Sequence, residues 1–228
     1  MARHNNVEQV GFINTNPGEA ELIMAGGEFC GNAARSTAWR ILNGNTGELK
    51  IKVSGVSRSL RAGVTPDGMA WAEMPIDTDP NMIQELEKGM HQVSMDGITH
   101  LVVFAAPPTQ DSEAIKKIAR SLLEEKGLTS ETAAGVMYVE FDQEKEKYKL
   151  EPIVFVRDVN TLYYESACGS GTTALGLVLA KKQGTAINEV AILQPSGQDI
   201  FVSVEYDGKK FGFASIKGAV QELGRGEI

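Results

Sequence analysis

Residues 28–35 of this chain read EFCGNAAR, and residues 165–172 read ESACGSGT. The chain has 228 residues and two cysteines, Cys30 and Cys168, and each of the two stretches carries one of them. Each stretch follows a short apolar run typical of a strand and leads into a run typical of a helix. The repetition of strand, Cys-Gly and helix predicts that the two thiols act as a pair.

The predicted position of each cysteine affects its acidity. A residue at the start of a helix lies beside unpaired backbone N–H groups and the positive end of the helix dipole. Such surroundings lower the pKa of a thiol, so the sequence predicts thiolate near neutral pH at Cys30 and Cys168. The alternative is two small buried hydrophobic residues, since free cysteine is often buried. Nothing indicates secretion or zinc-ligand spacing, which disfavours a structural disulfide or a metal site.

Composition narrows the classes of function. The net charge is −8, which repels phosphate backbones and disfavours nucleic-acid binding. No apolar run is long enough to span a membrane, and residues 1–9 lack the apolar core of a signal peptide. We therefore expect a cytoplasmic protein with a small-molecule substrate and neither nucleic acid nor membrane as partner.

Short strand-like runs separated by turn residues dominate the chain. Predicted strands cover residues 10–14, 21–24, 49–54, 59–64, 69–74, 91–95, 99–105, 135–141, 149–156, 161–165, 190–193, 200–206 and 211–217. Predicted helices cover residues 33–42, 111–126 and 172–182, the last two ending before Gly127 and Gly184.

The order of sheet, cysteine helix and further sheet occurs twice along the chain. We therefore expect an α+β fold of two lobes, residues 1–77 and 78–218, with residues 219–228 joining the first lobe. A boundary near residues 75–80 is rich in Pro and Asp. A pseudo-twofold axis between the lobes would bring both helix N-termini to one cleft.

Two opposed thiols suit the inversion of an amino-acid Cα. That reaction needs a base on one face of the carbon and an acid on the other, and the roles exchange in the reverse direction. Backbone N–H groups at residues 31–32 and 169–170 are expected to hold the α-carboxylate, with the glycines leaving room for the substrate. No pyridoxal-phosphate lysine context or dinucleotide-binding glycine pattern is evident, so the predicted chemistry uses no cofactor and no metal.

The two cysteine segments resemble those of diaminopimelate epimerases, and proline racemases have comparable motifs. The resemblance is closest to the histidine racemases of staphylopine-type metallophore biosynthesis, which are relatives of these epimerases. Similar stretches cover nearly the whole chain, at residues 8–13, 28–33, 52–55, 168–171, 194–197 and 215–218. The resemblance implies two lobes of mostly antiparallel sheet wrapped on a central helix, and conversion of L-histidine to D-histidine.

The resemblance also implies roles for individual residues. Cys30 and Cys168 correspond to the catalytic thiols. The positions that correspond to substrate-binding residues are Gln9, Gly31, Asn32, Glu165, Gly169 and Ser170. Glu165 is expected to receive the α-amino group, the alternative being a solvated strand end. His100 occupies the place of an epimerase histidine but lacks the preceding Asn-Pro, so we interpret it as a core residue.

Departures from the epimerase pattern bear on the substrate. Ser166 stands where epimerases have an arginine for the distal carboxylate, and Ala133 replaces an asparagine of the same function. The loop at residues 24–27 is also shortened. A second carboxylate would therefore be unpaired, which favours a neutral or aromatic side chain. A diaminopimelate epimerase of lysine biosynthesis and an inactive or redox-sensing relative remain alternatives, and a homodimer is left open.

The first residues carry a further expectation. Residues 1–4 resemble the end of a helix that precedes Gln9 in the family. The N-terminal lobe is therefore expected to be truncated, without an outer strand and one wall of the cleft, and to give weak activity until it is extended upstream.

Overall fold

The computed structural model describes residues 7–16, 20–224 and 226. The strands are β1 (Gly11–Asn14), β2 (Glu21–Met24), β3 (Gly47–Val53), β4 (Leu60–Val64), β5 (Ala70–Glu73), β6 (Ile83–Glu87), β7 (Met90–Met95), β8 (Ile98–Val103), β9 (Ala133–Asp142), β10 (Lys147–Val156), β11 (Thr161–Tyr164), β12 (Ile187–Leu193), β13 (Asp199–Tyr206) and β14 (Phe211–Gly218). The helices are α1 (Gly31–Ile41), α2 (Ser112–Glu125) and α3 (Gly169–Gln183).

One hydrogen-bonded path connects the strands in the order β1-β2-β3-β4-β5-β14-β13-β12-β10-β9-β8-β7-β6, and β11 pairs with β10. Most pairs are antiparallel, and the parallel pairs are β2 with β3, β8 with β9 and β10 with β12. Because α1 lies between β2 and β3, and α3 lies between β10 and β12, each cysteine helix belongs to a crossover between parallel strands. The fold is a mixed, sheet-rich α+β fold, which confirms that part of the prediction.

Helix α3 lies in the main core. Every residue from Gly169 to Ala180 is buried except Ser170. The helix is apolar on all sides, as expected for a helix enclosed by other elements, and it packs against β8, β12, β13 and β14. It ends at Gly184, whose φ of 73° is the left-handed conformation common after helices.

The other two helices cover separate parts of the sheet. Helix α1 buries Ala34 and Ala38 against β3, β4 and β5. Helix α2 buries Ile115, Ala119 and Leu123 against β9, β10 and β11. Its N-terminus is capped by Asp111, whose Oδ1 accepts a hydrogen bond of 2.7 Å from Ala114 N, as the sequence predicts.

Some boundaries differ from the predicted ones. Strand β6 lies in a stretch for which no strand was expected, because only Ile83 of its five residues is buried and no alternation marks it. Helices α1 and α3 begin two and three residues earlier than predicted, since the cysteines themselves are the N-caps. The expectation that residues 1–4 form the end of a helix concerns residues outside the described part of the chain. Among the described helices, none is long and apolar enough to cross a membrane.

Candidate active site

Cys30 and Cys168 line one cleft with an empty volume of ≈ 490 Å³. Its walls come from the loops that precede α1 and α3, from the segment before β1, and from β10. The cleft contains all eight residues for which the sequence predicts a site role: Gln9, Cys30, Gly31, Asn32, Glu165, Cys168, Gly169 and Ser170. The structure thus brings together residues from distant parts of the chain.

The two cysteines have almost the same local geometry. Cys30 has φ −134° and ψ 110°, and Cys168 has φ −122° and ψ 108°, both extended values. The Sγ of Cys30 accepts a hydrogen bond of 3.4 Å from Ala33 N, and that of Cys168 accepts one of 3.3 Å from Gly171 N. Each sulfur therefore caps its helix by pairing with an N–H group of the first turn.

Asn32 joins the two helix starts. Its Nδ2 donates a hydrogen bond of 3.0 Å to the carbonyl oxygen of Ala167, directly before Cys168. Its Oδ1 accepts one of 3.0 Å from Nε of the buried Arg35, whose Nη1 donates to the carbonyl oxygen of Ala219. Both ends of the Asn32 side chain are therefore occupied by structural bonds, so its expected contribution to substrate binding comes from the backbone N–H.

The glycines that follow the two cysteines have a different role from the one expected. A Cβ at Gly31 would lie 2.8 Å from Met74 Sδ and 3.0 Å from Ile216 Cδ1, and a Cβ at Gly169 would lie 2.7 Å from Ile216 Cδ1. The space that these glycines leave is filled by core side chains. The prediction that they make room for the substrate is therefore wrong, because they allow both helix starts to pack on Ile216 of β14.

Ser54 and Gly55 hold the loop before Cys30 in place through hydrogen bonds and close packing. Ser54 Oγ donates a hydrogen bond of 2.8 Å to the carbonyl oxygen of Glu28 and accepts one of 2.9 Å from Met24 N. Gly55 has φ +77°, and a Cβ there would lie 2.6 Å from Phe29 N. Residues 54–55 therefore support the Cys30 loop, which gives a physical reason for the similarity at residues 52–55.

Cys30 has an amide partner in the cleft. Its thiol donates to Gln9 Oε1 at 2.9 Å, and Gln9 Nε2 donates to Glu28 Oε1 at 3.4 Å. Gln9 therefore links the Cys30 thiol to a carboxylate.

Cys168 has a larger polar network. Its thiol donates a hydrogen bond to the Glu165 carboxylate, and its Sγ lies 3.5 Å from Ser170 Oγ. Ser170 Oγ in turn lies 2.9 Å from His100 Nε2. The amide of Gln194 fixes the backbone, since its Oε1 accepts a hydrogen bond of 3.0 Å from Cys168 N.

The sequence did not identify His100 as a residue connected to the site. It is fully buried, as predicted, but it reaches Cys168 through Ser170. Its Nδ1 has no hydrogen-bond partner among the described residues. Burial lowers the pKa of His100 to about 3, so the imidazole is neutral at physiological pH. Its correspondence to an epimerase histidine was the signal that could have identified it.

The acidity of the thiols is opposite to the prediction. Burial raises the pKa of Cys30 to about 12, although hydrogen bonds from Ala33 and Asn32 N–H groups act in the other direction. Burial also raises the pKa of Cys168, and the charge of Glu165 adds to this increase. The helix N-termini contribute as expected, but removal of the thiolates from water outweighs them. The prediction of thiolate near neutral pH is therefore wrong.

Glu165 has a pKa close to physiological pH. Burial raises the pKa of this carboxyl to about 7, while its hydrogen bond with Cys168 lowers it. The charges of Glu8 and Glu28 raise the pKa further. Among the described residues that line the cleft, there is no Lys, Arg or His. Among all the residues that the structure describes, no group of three or more His, Cys, Asp and Glu residues is arranged to hold a metal ion.

Comparisons with known proteins identify relatives of this fold and of this sequence. A solved structure of a Bacillus anthracis phenazine biosynthesis protein of the PhzF family shares the fold, with a TM-score of 0.58 and 13% identity. The match covers 92% of this chain and 81% of that one.

The sequence matches are more specific. The family model for the histidine racemase CntK N-terminal domain matches residues 1–228. A histidine racemase of Fusobacterium nucleatum is 34% identical over 203 residues, covering 83% of this chain and 72% of the relative. One of Staphylococcus aureus is 26% identical over 240 residues, covering 99% and 84%. This chain is therefore an isomerase of the racemase class. It belongs to the histidine racemase family.

Proposed function

We propose that this protein interconverts L-histidine and D-histidine without a cofactor, with Cys30 and Cys168 as the acid and base. The observation that carries the proposal is the matched pair of thiols, each capping a helix, on the walls of one cleft. The names of the relatives favour histidine as the substrate.

The two ends of the amino-acid backbone have complementary partners in this proposal. The α-carboxylate binds backbone N–H groups at residues 31–32 and 169–170, where two helix N-termini favour negative charge. The α-ammonium binds Glu165, which lies in a cleft lined by carboxylates and by no cationic side chain of the described residues. The substrate is therefore oriented with its Cα between the two cysteines.

The substrate itself enables the proton transfer. Burial favours the protonated form of both thiols, and the ammonium of the substrate brings the positive charge that favours a thiolate. One thiol loses its proton to solvent, and the resulting thiolate removes the α-proton from one face. The opposite thiol then donates a proton to the other face of the carbanion, whose charge the helix N-termini stabilise.

We also propose that the fold consists of two halves related by a pseudo-twofold axis. The order β2-α1-β3-β4-β5 resembles β10-β11-α3-β12-β13-β14, in which β11 is an additional strand. In each half a cysteine helix lies between two parallel strands, and antiparallel strands follow it. The halves meet where β5 pairs antiparallel with β14. On this basis residues 1–77, with 219–228, form one lobe and residues 78–218 the other, and Arg35 supports this division by its hydrogen bond to Ala219.

We propose a cellular role from the resemblance alone. D-Histidine produced in the cytoplasm would serve metallophore biosynthesis. Growth of a deletion strain under metal limitation, with and without added D-histidine, tests this role. Rescue by D-histidine supports it, and equal growth of the deletion and parent strains contradicts it.

The direct test of the function uses the purified protein in D₂O. L-Histidine, other L-amino acids and meso- and LL-diaminopimelate are scored for deuterium at Cα and for chirality. We expect histidine to be preferred, because Ala133 lines the cleft without a polar group for a distal carboxylate. Preferential epimerisation of diaminopimelate would instead assign the protein to the epimerase reaction.

A further inference from the structure

A second cavity opens beside the cysteine cleft. It has an empty volume of ≈ 660 Å³ and shares with the cleft the residues Gln9, Glu28, Val154, Val156 and Glu165. We call it the side cavity. Because Glu165 lines both cavities, a substrate whose ammonium binds Glu165 can place its side chain in the side cavity.

The walls of the side cavity have two different characters. One wall is apolar and is formed by Val154, Val156, Val159 and Tyr163 at the ends of β10 and β11 and between them. The shortened loop contributes Ala25 and Gly26. Apolar walls of this kind accept an aromatic ring, and removal of the ring from water stabilises the complex.

The lining of the side cavity also includes two carboxylates in addition to Glu165. Glu8 Oε1 accepts a hydrogen bond of 3.0 Å from Ser166 N, so this side chain is partly engaged in holding the loop before Cys168. Glu28 lies at the junction of the cleft and the side cavity. No Lys, Arg or His of the described residues lines the side cavity, so an anionic side chain would meet only like charge there.

Glu28 has a free acceptor at this junction. Its Oε1 accepts a hydrogen bond from Gln9, but its Oε2 is buried and has no partner among the described residues. A buried carboxylate oxygen without a partner is costly and rare in folded proteins. Glu28 lines the side cavity, and a small rotation of its side chain would bring Oε2 within reach of an N–H donor on a ligand there.

We propose that the side cavity is the subsite for the substrate side chain and that Glu28 is its specificity-determining residue, with Oε2 accepting a hydrogen bond from an imidazole ring N–H. This inference rests on the proposed function, since it assumes an amino-acid substrate with its Cα between the cysteines. The apolar wall covers the face of the ring, and the carboxylates exclude acidic side chains.

The test compares Glu28→Gln with the unmodified protein. The amide keeps an oxygen for Gln9 but replaces the free acceptor by an NH₂ group. Initial rates of α-deuterium exchange are measured for L-histidine and for its two ring-N-methylated derivatives, each of which lacks one N–H. Glu140→Gln, an exposed carboxylate on β9, is the matched control.

We expect the unmodified protein to discriminate against one methylated isomer by about 10- to 100-fold, the range for a hydrogen bond to a charged group. In Glu28→Gln, kcat/KM for L-histidine should fall by a similar factor, mainly through KM. For the disfavoured methylated isomer, Glu28→Gln should change kcat/KM less than threefold. Glu140→Gln should leave kcat/KM unchanged for both L-histidine and this isomer.

If Glu28→Gln lowers kcat/KM equally for L-histidine and for the disfavoured methylated isomer, or lowers neither, the proposed subsite is wrong, while the racemase function is unaffected. If the unmodified protein exchanges no α-proton of histidine, the proposed function fails and the imidazole subsite fails with it. Val159→Trp is a second variant at an exposed position of the rim, and the larger ring should fill the cavity and raise KM for L-histidine at least tenfold. An unchanged KM would also contradict the assignment.

Discussion

The high thiol pKa values lead to a quantitative prediction for alkylation of the unliganded protein. Iodoacetamide reacts with thiolate, so its rate reports the ionised fraction of each cysteine. Burial raises the pKa of Cys30 to about 12 from an ordinary value of 9.0. At pH 8 about one Cys30 thiol in 10⁴ is ionised, against about one in ten for an ordinary thiol. Alkylation of Cys30 should therefore be about 1,000-fold slower than that of a small free thiol.

The assay follows modification of Cys30 and Cys168 separately by peptide mass spectrometry between pH 7 and pH 10. The Cys30 rate should rise about tenfold for each pH unit without levelling off, because the pKa lies above this range. Restricted access alone would give a slow rate that levels off near the ordinary pKa.

Glu165→Gln separates charge from access, because it removes a charge that raises the pKa of both thiols while keeping the side-chain shape. Both cysteines should react faster in this variant, and Glu140→Gln should leave their rates unchanged. A Cys30 rate that levels off below pH 9, or no acceleration in Glu165→Gln, would refute the reasoning.

Three further predictions concern the support of the site. Asn32→Ala removes the bond between the two helix starts and a partner of a buried guanidinium, so the free energy of unfolding should fall by about 2–3 kcal/mol in urea titrations. Asn45→Ala, which loses one exposed bond, should cost less than about 1 kcal/mol, and equal losses would contradict the account. Gly171→Ala would force a Cβ into Met137 Sδ, so it should lower stability by about 1–3 kcal/mol and reduce exchange; unchanged thermal unfolding would exclude this packing role. Finally, native Glu165 keeps its proton up to pH about 7 and the unfolded state only to about 4.5, so its contribution to stability should decrease as pH rises through this window. Glu165→Gln should remove this decrease in pH-dependent urea titrations, and an unaltered slope would assign it to other groups.

Local sequence was sufficient to predict the three helices. The Cys-Gly sequences predicted that a helix follows each cysteine, and the cap at Asp111 with the apolar spacing of α2 predicted that helix. These features depend on hydrogen bonds between residues three or four positions apart, so a short stretch contains the necessary information.

The errors arose where distant parts of the chain meet. The low pKa predicted for Cys30 followed from its own helix, whereas burial by the rest of the cleft decides the value. Likewise, Gly31 and Gly169 meet Ile216, which lies far from both in sequence. His100 looked like a core residue because its strand is apolar, and its bond to Ser170 spans 70 positions. Such contacts are set by tertiary packing and leave no local pattern.

The resemblance supplied what local patterns could not. It assigned Gln9 and Glu165 to the substrate site, and both line the cleft with the cysteines. It did not identify Glu28 as a residue of the site, although Glu28 lies in the quoted segment next to Cys30.

The central claim is that two thiols act on opposite faces of the substrate Cα. The most direct measurement follows α-deuterium incorporation and chirality for L- and D-histidine in D₂O with Cys30→Ser, Cys168→Ser and the unmodified protein. The account predicts that neither single variant racemises histidine, while each retains slow exchange of only one enantiomer, the two variants acting on opposite enantiomers. Near-normal racemisation by either variant, with the fold intact, would contradict the two-thiol mechanism.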